Sequence, residues 1–203
     1  MTTKPRPLRS DAARNRDSLL AVATRTYAKA KTEPSMREIA REAGVGVGTL
    51  YRHFPTREAL VEAVYHDQVE RLTQGAQQLL AKHPPALALR RWMDLFGEWL
   101  ATKHGMLGTL GAMVEAGAMQ HGQGRAALLA ALTRILAAGD EAGDLRADAN
   151  AEDVSASLIG IFTVASAPDR RAQRERLLDL LMDALRPQPA RVSAGSRVRR
   201  RSS

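Results

Sequence analysis

The chain has 203 residues, a formal net charge of +8, 44% hydrophobic residues and no cysteine. That length admits one domain or a small domain joined to a larger one, and the apolar fraction suffices for a packed core. Lack of cysteine excludes disulfides, thiolate metal sites and thiol nucleophiles, and the charged start without an apolar stretch, together with the absence of any membrane-length apolar run, points to a cytoplasmic chain.

Helix signals run through the whole sequence, and no segment sustains the alternation of a β-strand. Residues 1–9, with Pro5, Pro7 and three basic side chains, read as a flexible arm. A first helix is expected from Ser10 or Asp11, either of which can cap it, to Lys29. Pro34-Ser35 opens a second over 36–42, and a third follows over 46–53. Thr56 caps a long fourth helix that reaches 80–82 before His83-Pro84-Pro85 stops it. A fifth, over 86–103, carries Trp92, Phe96 and Trp99. The segment 105–124 holds six glycines and should be only weakly helical, since each interior glycine costs roughly 1 kcal/mol relative to alanine. Helices over 125–142, 151–166 and 169–186 complete the body, with Gly143 suited to a left-handed cap. The tail 187–203, rich in proline, serine and arginine, reads as disordered.

Residues 36–57 are the most informative stretch. Ile39, Ala40 and Ala43 share a helical face, Gly44 stands where the chain must turn, and Val45 with Leu50 returns an apolar surface over the first helix. Leu50 and Phe54 then face inward and leave Gly48, Thr49, Arg52 and His53 facing outward, with Tyr51 to one side. A helix entering a major groove needs small residues near its start and donors farther along; Gly46, Gly48 and Thr49 supply the first, Tyr51, Arg52, His53 and Arg57 the second. Arg52 is expected to reach a base, and Tyr51, His53 and Arg57 phosphates. Val47 either touches a thymine methyl or extends the apolar face.

Charge falls in the same place. Residues 1–57 carry net +7, residues 58–186 net −4 and residues 187–203 net +5, so the attraction for phosphate centres on the motif, and the tail could add nonspecific affinity. The glycines also suggest a phosphate-cradling nucleotide loop. No strand precedes them, however, the spacing is G-x-G-x-G, and no Lys-Ser or Lys-Thr follows. The five histidines show no metal spacing and no serine sits in a G-x-S-x-G turn, so neither an enzyme nor a metal or cofactor site is expected.

The run Ile39-Ala-Arg-Glu-Ala-Gly-Val-Gly-Val-Gly-Thr-Leu-Tyr-Arg-His-Phe54, followed by Arg57-Glu-Ala-Leu60, resembles the N-terminal domain of the tetracycline-repressor (TetR/AcrR) family of bacterial transcriptional regulators. The likeness covers residues 14–66, about a quarter of the chain. It implies DNA contacts from the start of helix two (Ser35, Met36, Arg37), from the recognition helix (Val47, Gly48, Thr49, Tyr51, His53) and from Arg57. It also implies a homodimer whose second domain binds a small effector. Lys31 departs from the pattern, standing where the family usually has glycine: either lysine takes φ > 0 or the turn is built differently.

The resulting expectation is an all-α protein: a three-helix helix-turn-helix DNA-binding domain (10–57) joined by a long helix to a helical effector-binding and dimerisation domain (58–186). Apolar faces on the last two helices, Val154, Leu158, Ile159, Ile161, Phe162 and Ala165 on one and Leu177, Leu178, Leu180, Leu181 and Leu185 on the other, are wider than one core contact needs and would pair with a second copy. Candidate effector contacts are the apolar Trp92, Phe96, Trp99, Met106, Leu110, Met113, Met119, Ile159 and Phe162 and the polar His104, Glu115, Gln120 and His121. The functional expectation is a nucleoid-associated, ligand-responsive repressor of a palindromic double-stranded DNA operator. Its alternative is a nonspecific architectural DNA binder or helical scaffold without effector response.

Overall fold

The computed structural model describes residues 8–119 and 122–187. The expected flexible arm over 1–9 and disordered tail over 187–203 fall outside these residues, except that residues 8 and 9 belong to the first helix and residue 187 is described. Nine α-helices and one short 3₁₀ turn make up the described chain: α1 (Leu8–Lys29), α2 (Met36–Glu42), α3 (Val47–His53), α4 (Arg57–Leu80), α5 (Pro85–His104), α6 (Leu107–Glu115), α7 (Gln123–Glu141), α8 (Ala151–Val164) and α9 (Arg171–Ala184), with the turn at Pro168–Arg170. Among the described residues no helix is long and apolar enough to cross a membrane.

Local chemistry accounts for most boundaries. Ser35 starts α2 through a capping box: the Glu38 N–H donates to Ser35 Oγ at 3.2 Å, and the Ser35 N–H donates to Glu38 Oε2 at 2.7 Å. Thr56 Oγ1 accepts from the Ala59 N–H at the start of α4, and Asn150 Oδ1 from the Glu152 N–H at the start of α8. Gly44 (φ +67°) and Gly143 (φ +71°) take the left-handed conformation that ends a helix. Two boundaries differ from expectation. Helix α1 begins at Leu8, so Ser10 and Asp11 sit within its first turn, where N–H groups lack intrahelical partners and such residues are tolerated. After it, no described residue other than glycine has positive φ, so the turn at Lys31 is built differently rather than by a left-handed lysine.

Two apolar cores share α4. The N-terminal core gathers Ala23 and Tyr27 of α1, Ile39 and Ala40 of α2, Leu50 of α3, Phe54, and Leu60, Val61 and Val64 of α4. The C-terminal core gathers Leu72 and Ala76 of α4 with Trp92 and Phe96 of α5, Leu132 and Ile135 of α7, Leu158 of α8 and Leu178 of α9. Trp92 closes it, its indole N–H donating to the Leu72 carbonyl at 2.9 Å. Arg90 ties α5 to α9 through Glu175.

The glycine-rich segment is the main surprise. It contains a nine-residue helix, α6, despite Gly108 and Gly111 in its interior. Met106, Leu110 and Met113 recur at helical spacing and are buried in the N-terminal core, and this tertiary burial outweighs weak propensity. The helix also borrows its cap. Met106, at the capping position, offers no side-chain acceptor, and Glu33, from the loop between α1 and α2, replaces it. The Thr109 N–H donates to Glu33 Oε2 at 3.1 Å, and the Thr109 hydroxyl donates to Glu33 Oε1. A carboxylate at a helix N-terminus meets both unsatisfied N–H groups and a favourable dipole.

Candidate nucleic-acid interface and ligand cavity

Helices α2 and α3 form the helix-turn-helix. Ala40 is buried where the two approach, Gly44 makes the turn, and Gly46 caps α3 with extended backbone (φ −66°, ψ 143°). Leu50 and Phe54 are fully or nearly fully buried, which directs the opposite face of α3 outward. Gly48, Tyr51 and Arg52 are exposed; Thr49 and His53 are half-buried. Around both Gly46 and Gly48 there is open space where a side chain would stand, so the backbone at the start of α3 is accessible to a close-fitting partner. Arg37 is exposed on α2, as is Arg41. The Glu38 carboxyl is held below its ordinary range by the Ser35 backbone and side-chain hydrogen bonds.

Four expected contacts sit differently from the rest. Met36 is 5% exposed and packs into the N-terminal core, so its side chain is a structural anchor of α2 and cannot reach a partner. Val47 packs against the same core and extends the Leu50 face. Ser35 has its hydroxyl in the capping box. Arg57 is half-buried, its Nη1 donating to Glu33 Oε1 at 3.3 Å and to the Pro34 carbonyl at 2.9 Å. It braces the loop before α2, and Glu33 thereby joins the start of α4 to the start of α6.

A cavity of about 390 Å³ opens among α4, α5, α6, α7 and α8. Trp99, Leu107, Leu110, Leu128 and Ile159 form apolar walls; Tyr65, Lys103, Arg125 and Ser155 supply polar groups. Burial pushes the Tyr65 phenol pKa up and the Lys103 ammonium pKa down. The Lys103 Nζ lies 5.2 Å from the centre of the Trp99 ring. The Trp99 indole N–H is buried and has no acceptor among the described residues.

Of the residues expected to touch an effector, Trp99, Leu110, Met119 and Ile159 line this cavity; His104 does not, and Gln120 and His121 lie outside the described residues. Trp92 and Phe96 are sealed in the C-terminal core, Met106 and Met113 in the N-terminal core. Glu115 is exposed at the end of α6 and does not line the cavity. Phe162 packs over Gly97 and under Arg174, beside a separate polar groove between α5 and α9. Sequence reasoning passed over Tyr65, Lys103, Arg125 and Ser155. Lys103 had a usable signal, since it follows Trp99 by four residues and so shares its helical face.

Comparison with known proteins agrees with this architecture. Residues 19–64 match the model described as bacterial regulatory proteins of the tetR family, and residues 84–187 match that described as the C-terminal domain of SbtR-like transcriptional regulators. The chain belongs to the tetR family of bacterial transcriptional regulators, a family of transcription factors rather than enzymes. Within it, the body is of the SbtR-like kind. A TetR transcriptional regulator from Streptomyces coelicolor is 46% identical, with a TM-score of 0.77 over 86% of this chain and 99% of that one. A TetR regulatory protein from Mycobacterium vanbaalenii is 40% identical, with a TM-score of 0.67 over 89% of this chain and 99% of that one. The transcriptional repressor KstR2 of Mycolicibacterium smegmatis is 38% identical over 72 residues, 35% of each protein. The chain spans less than half the length of the curated relatives it matches.

Proposed function

We propose that the protein is a homodimeric repressor that reads a two-fold related DNA operator through α3 and leaves it when a small molecule fills the cavity between α4 and α8. The observation carrying the reading is the outward face of α3. It begins with open backbone at Gly46 and Gly48, continues through Thr49, Tyr51, Arg52 and His53, and belongs to the part of the chain that carries net +7. A groove-reading helix needs close approach first, then donors, in a positive field. Arg37 on α2 completes the contact set. Arg57 acts by bracing α2 and approaches phosphate only with its remaining guanidinium nitrogens. Such a protein works in the cytoplasm, on chromosomal DNA.

Dimerisation through α8 and α9 is supported by Ile159, Val164 and Leu180, which stay 43%, 56% and 64% exposed after the chain has packed its own core. A two-fold interface there sets the separation of the two recognition helices. Communication with the cavity is supported by two shared groups. Leu110 belongs both to the cavity wall and to the N-terminal core, and Glu33 holds Thr109 of α6 and Arg57 of α4 together. A ligand that displaces α6 therefore shifts α4 and changes the spacing of the recognition helices.

The test begins with genomic fragments selected by the purified protein. Affinity for a selected fragment and for a scrambled one is then compared between wild type and Arg37→Ala/Tyr51→Ala/His53→Ala. Loss of one base-reading side chain costs roughly 1–3 kcal/mol of discrimination, so the variant should bind both fragments alike. A variant that keeps the wild-type preference sinks the reading.

A further inference from the structure

Among the described residues the cavity walls contain two cations, Lys103 and Arg125, and no aspartate or glutamate. Arg125 is largely exposed and reaches Glu152, outside the cavity, at 3.4 Å. Lys103 differs: it is half-buried, its ammonium lies beside the Trp99 ring, and no carboxylate pairs with it among the described residues. A lysine can escape such a position by extending its stem to solvent, yet here the stem lies in the wall of an apolar space. The Trp99 ring offsets part of the cost of removing this ammonium from water, but no counter-ion does among the described residues, and an anion delivered by a ligand would supply one.

Resting on the effector reading above, we infer that the cavity takes an apolar molecule bearing one anionic headgroup, a medium-chain carboxylate by size, with its acid on Lys103. The body of such a ligand meets Trp99, Leu107, Leu110, Leu128 and Ile159. The outer charge of Arg125 favours the same sign of head over a cation, and the Ser155 and Tyr65 hydroxyls are available to donate to it. At roughly 30 Å³ per non-hydrogen atom, the share of one water molecule in the liquid, a 390 Å³ space holds about a dozen such atoms. Decanoate has that size. A cationic amphiphile of equal length would face two positive side chains and, among the described residues, no negative one, which disfavours it by repulsion rather than by shape.

The probes are decanoate, decanol and decylamine, titrated below their aggregation limits into the full-length protein without DNA, by calorimetry and by tryptophan fluorescence. Decanoate should bind at least tenfold more tightly than decanol, and decylamine more weakly than either. Lys103→Gln should remove most of the decanoate preference, and Lys103→Arg, which keeps the charge, should retain it. Lys82→Gln, exposed and remote, should behave as wild type. Circular dichroism melting shows whether each variant is folded, and the Lys103→Arg comparison decides the matter if Lys103→Gln is not. Equal binding of acid and alcohol, an undiminished preference in folded Lys103→Gln, or no binding of decanoate to the wild type overturns the inference. Because DNA is absent from these titrations, the two readings fail separately. Lys103-dependent decanoate binding that leaves operator affinity unchanged refutes the effector role and leaves the ligand chemistry standing.

Discussion

Gly105 ends α5 with ordinary right-handed dihedrals (φ −69°, ψ −11°), so its lack of a side chain is not conformational. It is steric. A Cβ there would overlap the Tyr27 carbonyl oxygen and lie 2.7 Å from the carbonyl carbon and 3.0 Å from the Cα of Tyr27, against the 3.5–4.0 Å of ordinary contact. These are backbone atoms of α1 and cannot turn aside as a side chain would. Gly105→Ala must therefore separate α1 from the end of α5, disturbing the packing around fully buried Tyr27 and Met106. Overpacking costs typically about 1–3 kcal/mol, and a collision with backbone belongs at the upper end. Alanine returns at most about 1 kcal/mol of helix propensity, so a net loss of about 2 kcal/mol is expected. For a chain of this size that lowers the melting temperature by roughly 4–8 °C. The control is Gly111→Ala in α6, exposed and with nothing within 4 Å of the added atom, which should gain up to about 1 kcal/mol from propensity. Melting followed by circular dichroism at one protein concentration compares the two, since a dimer's midpoint depends on concentration. A Gly105→Ala protein within about 0.5 kcal/mol of wild type would refute the close-packing argument.

Two further perturbations probe other parts of the molecule. Tyr27 is fully buried with a hydroxyl that has no hydrogen-bond partner among the described residues, and burial pushes its pKa from 10.0 to about 12, with Arg57 opposing. Tyr27→Phe removes the unpaired group and should stabilise the protein by about 1 kcal/mol near neutral pH. Between pH 10 and 12 the unfolded chain sheds a proton that the folded one retains, so wild-type stability falls with rising pH by up to about 3 kcal/mol, and the phenylalanine variant is spared that part. Denaturant titrations with equal pH slopes for the two proteins would show that Tyr27 ionises normally. Leu180→Asp places a charge on the exposed face of α9; light scattering should then give half the wild-type mass, and an unchanged mass would move the interface elsewhere.

What could be read from the sequence was what short-range chemistry determines. Gly44, Ser35, Thr56 and Gly143 act within four residues of themselves, and the helices they bound could be placed from those signals. What escaped depends on distant partners. Helix α6 is capped by Glu33, 76 residues earlier at Thr109, so its glycines read as a weak helix when taken alone. Arg57 carried the expected charge for a DNA contact, but nothing local revealed that Glu33 and Pro34 hold it. Met36 looked exposed at a helix start and is instead drawn under by α2 packing on α1. In the body, aromatic side chains drew the eye although Trp92 and Phe96 are sealed, while the cavity's polar groups looked like ordinary surface residues.

The double membership of Leu110 limits how this protein could acquire a new specificity. Trimming or enlarging that side chain to admit another ligand would also leave a void or a clash in the core that supports α2 and α3. Ligand choice and the integrity of the reading head are therefore not independently adjustable along α6. Leu128 packs with the C-terminal core, and Ile159 of α8 is shared with the proposed dimer face, so the α7 wall is where variation can reshape the cavity at least expense to the helix-turn-helix. Divergence among related chains should accordingly be greater on that wall than on the one that α6 provides.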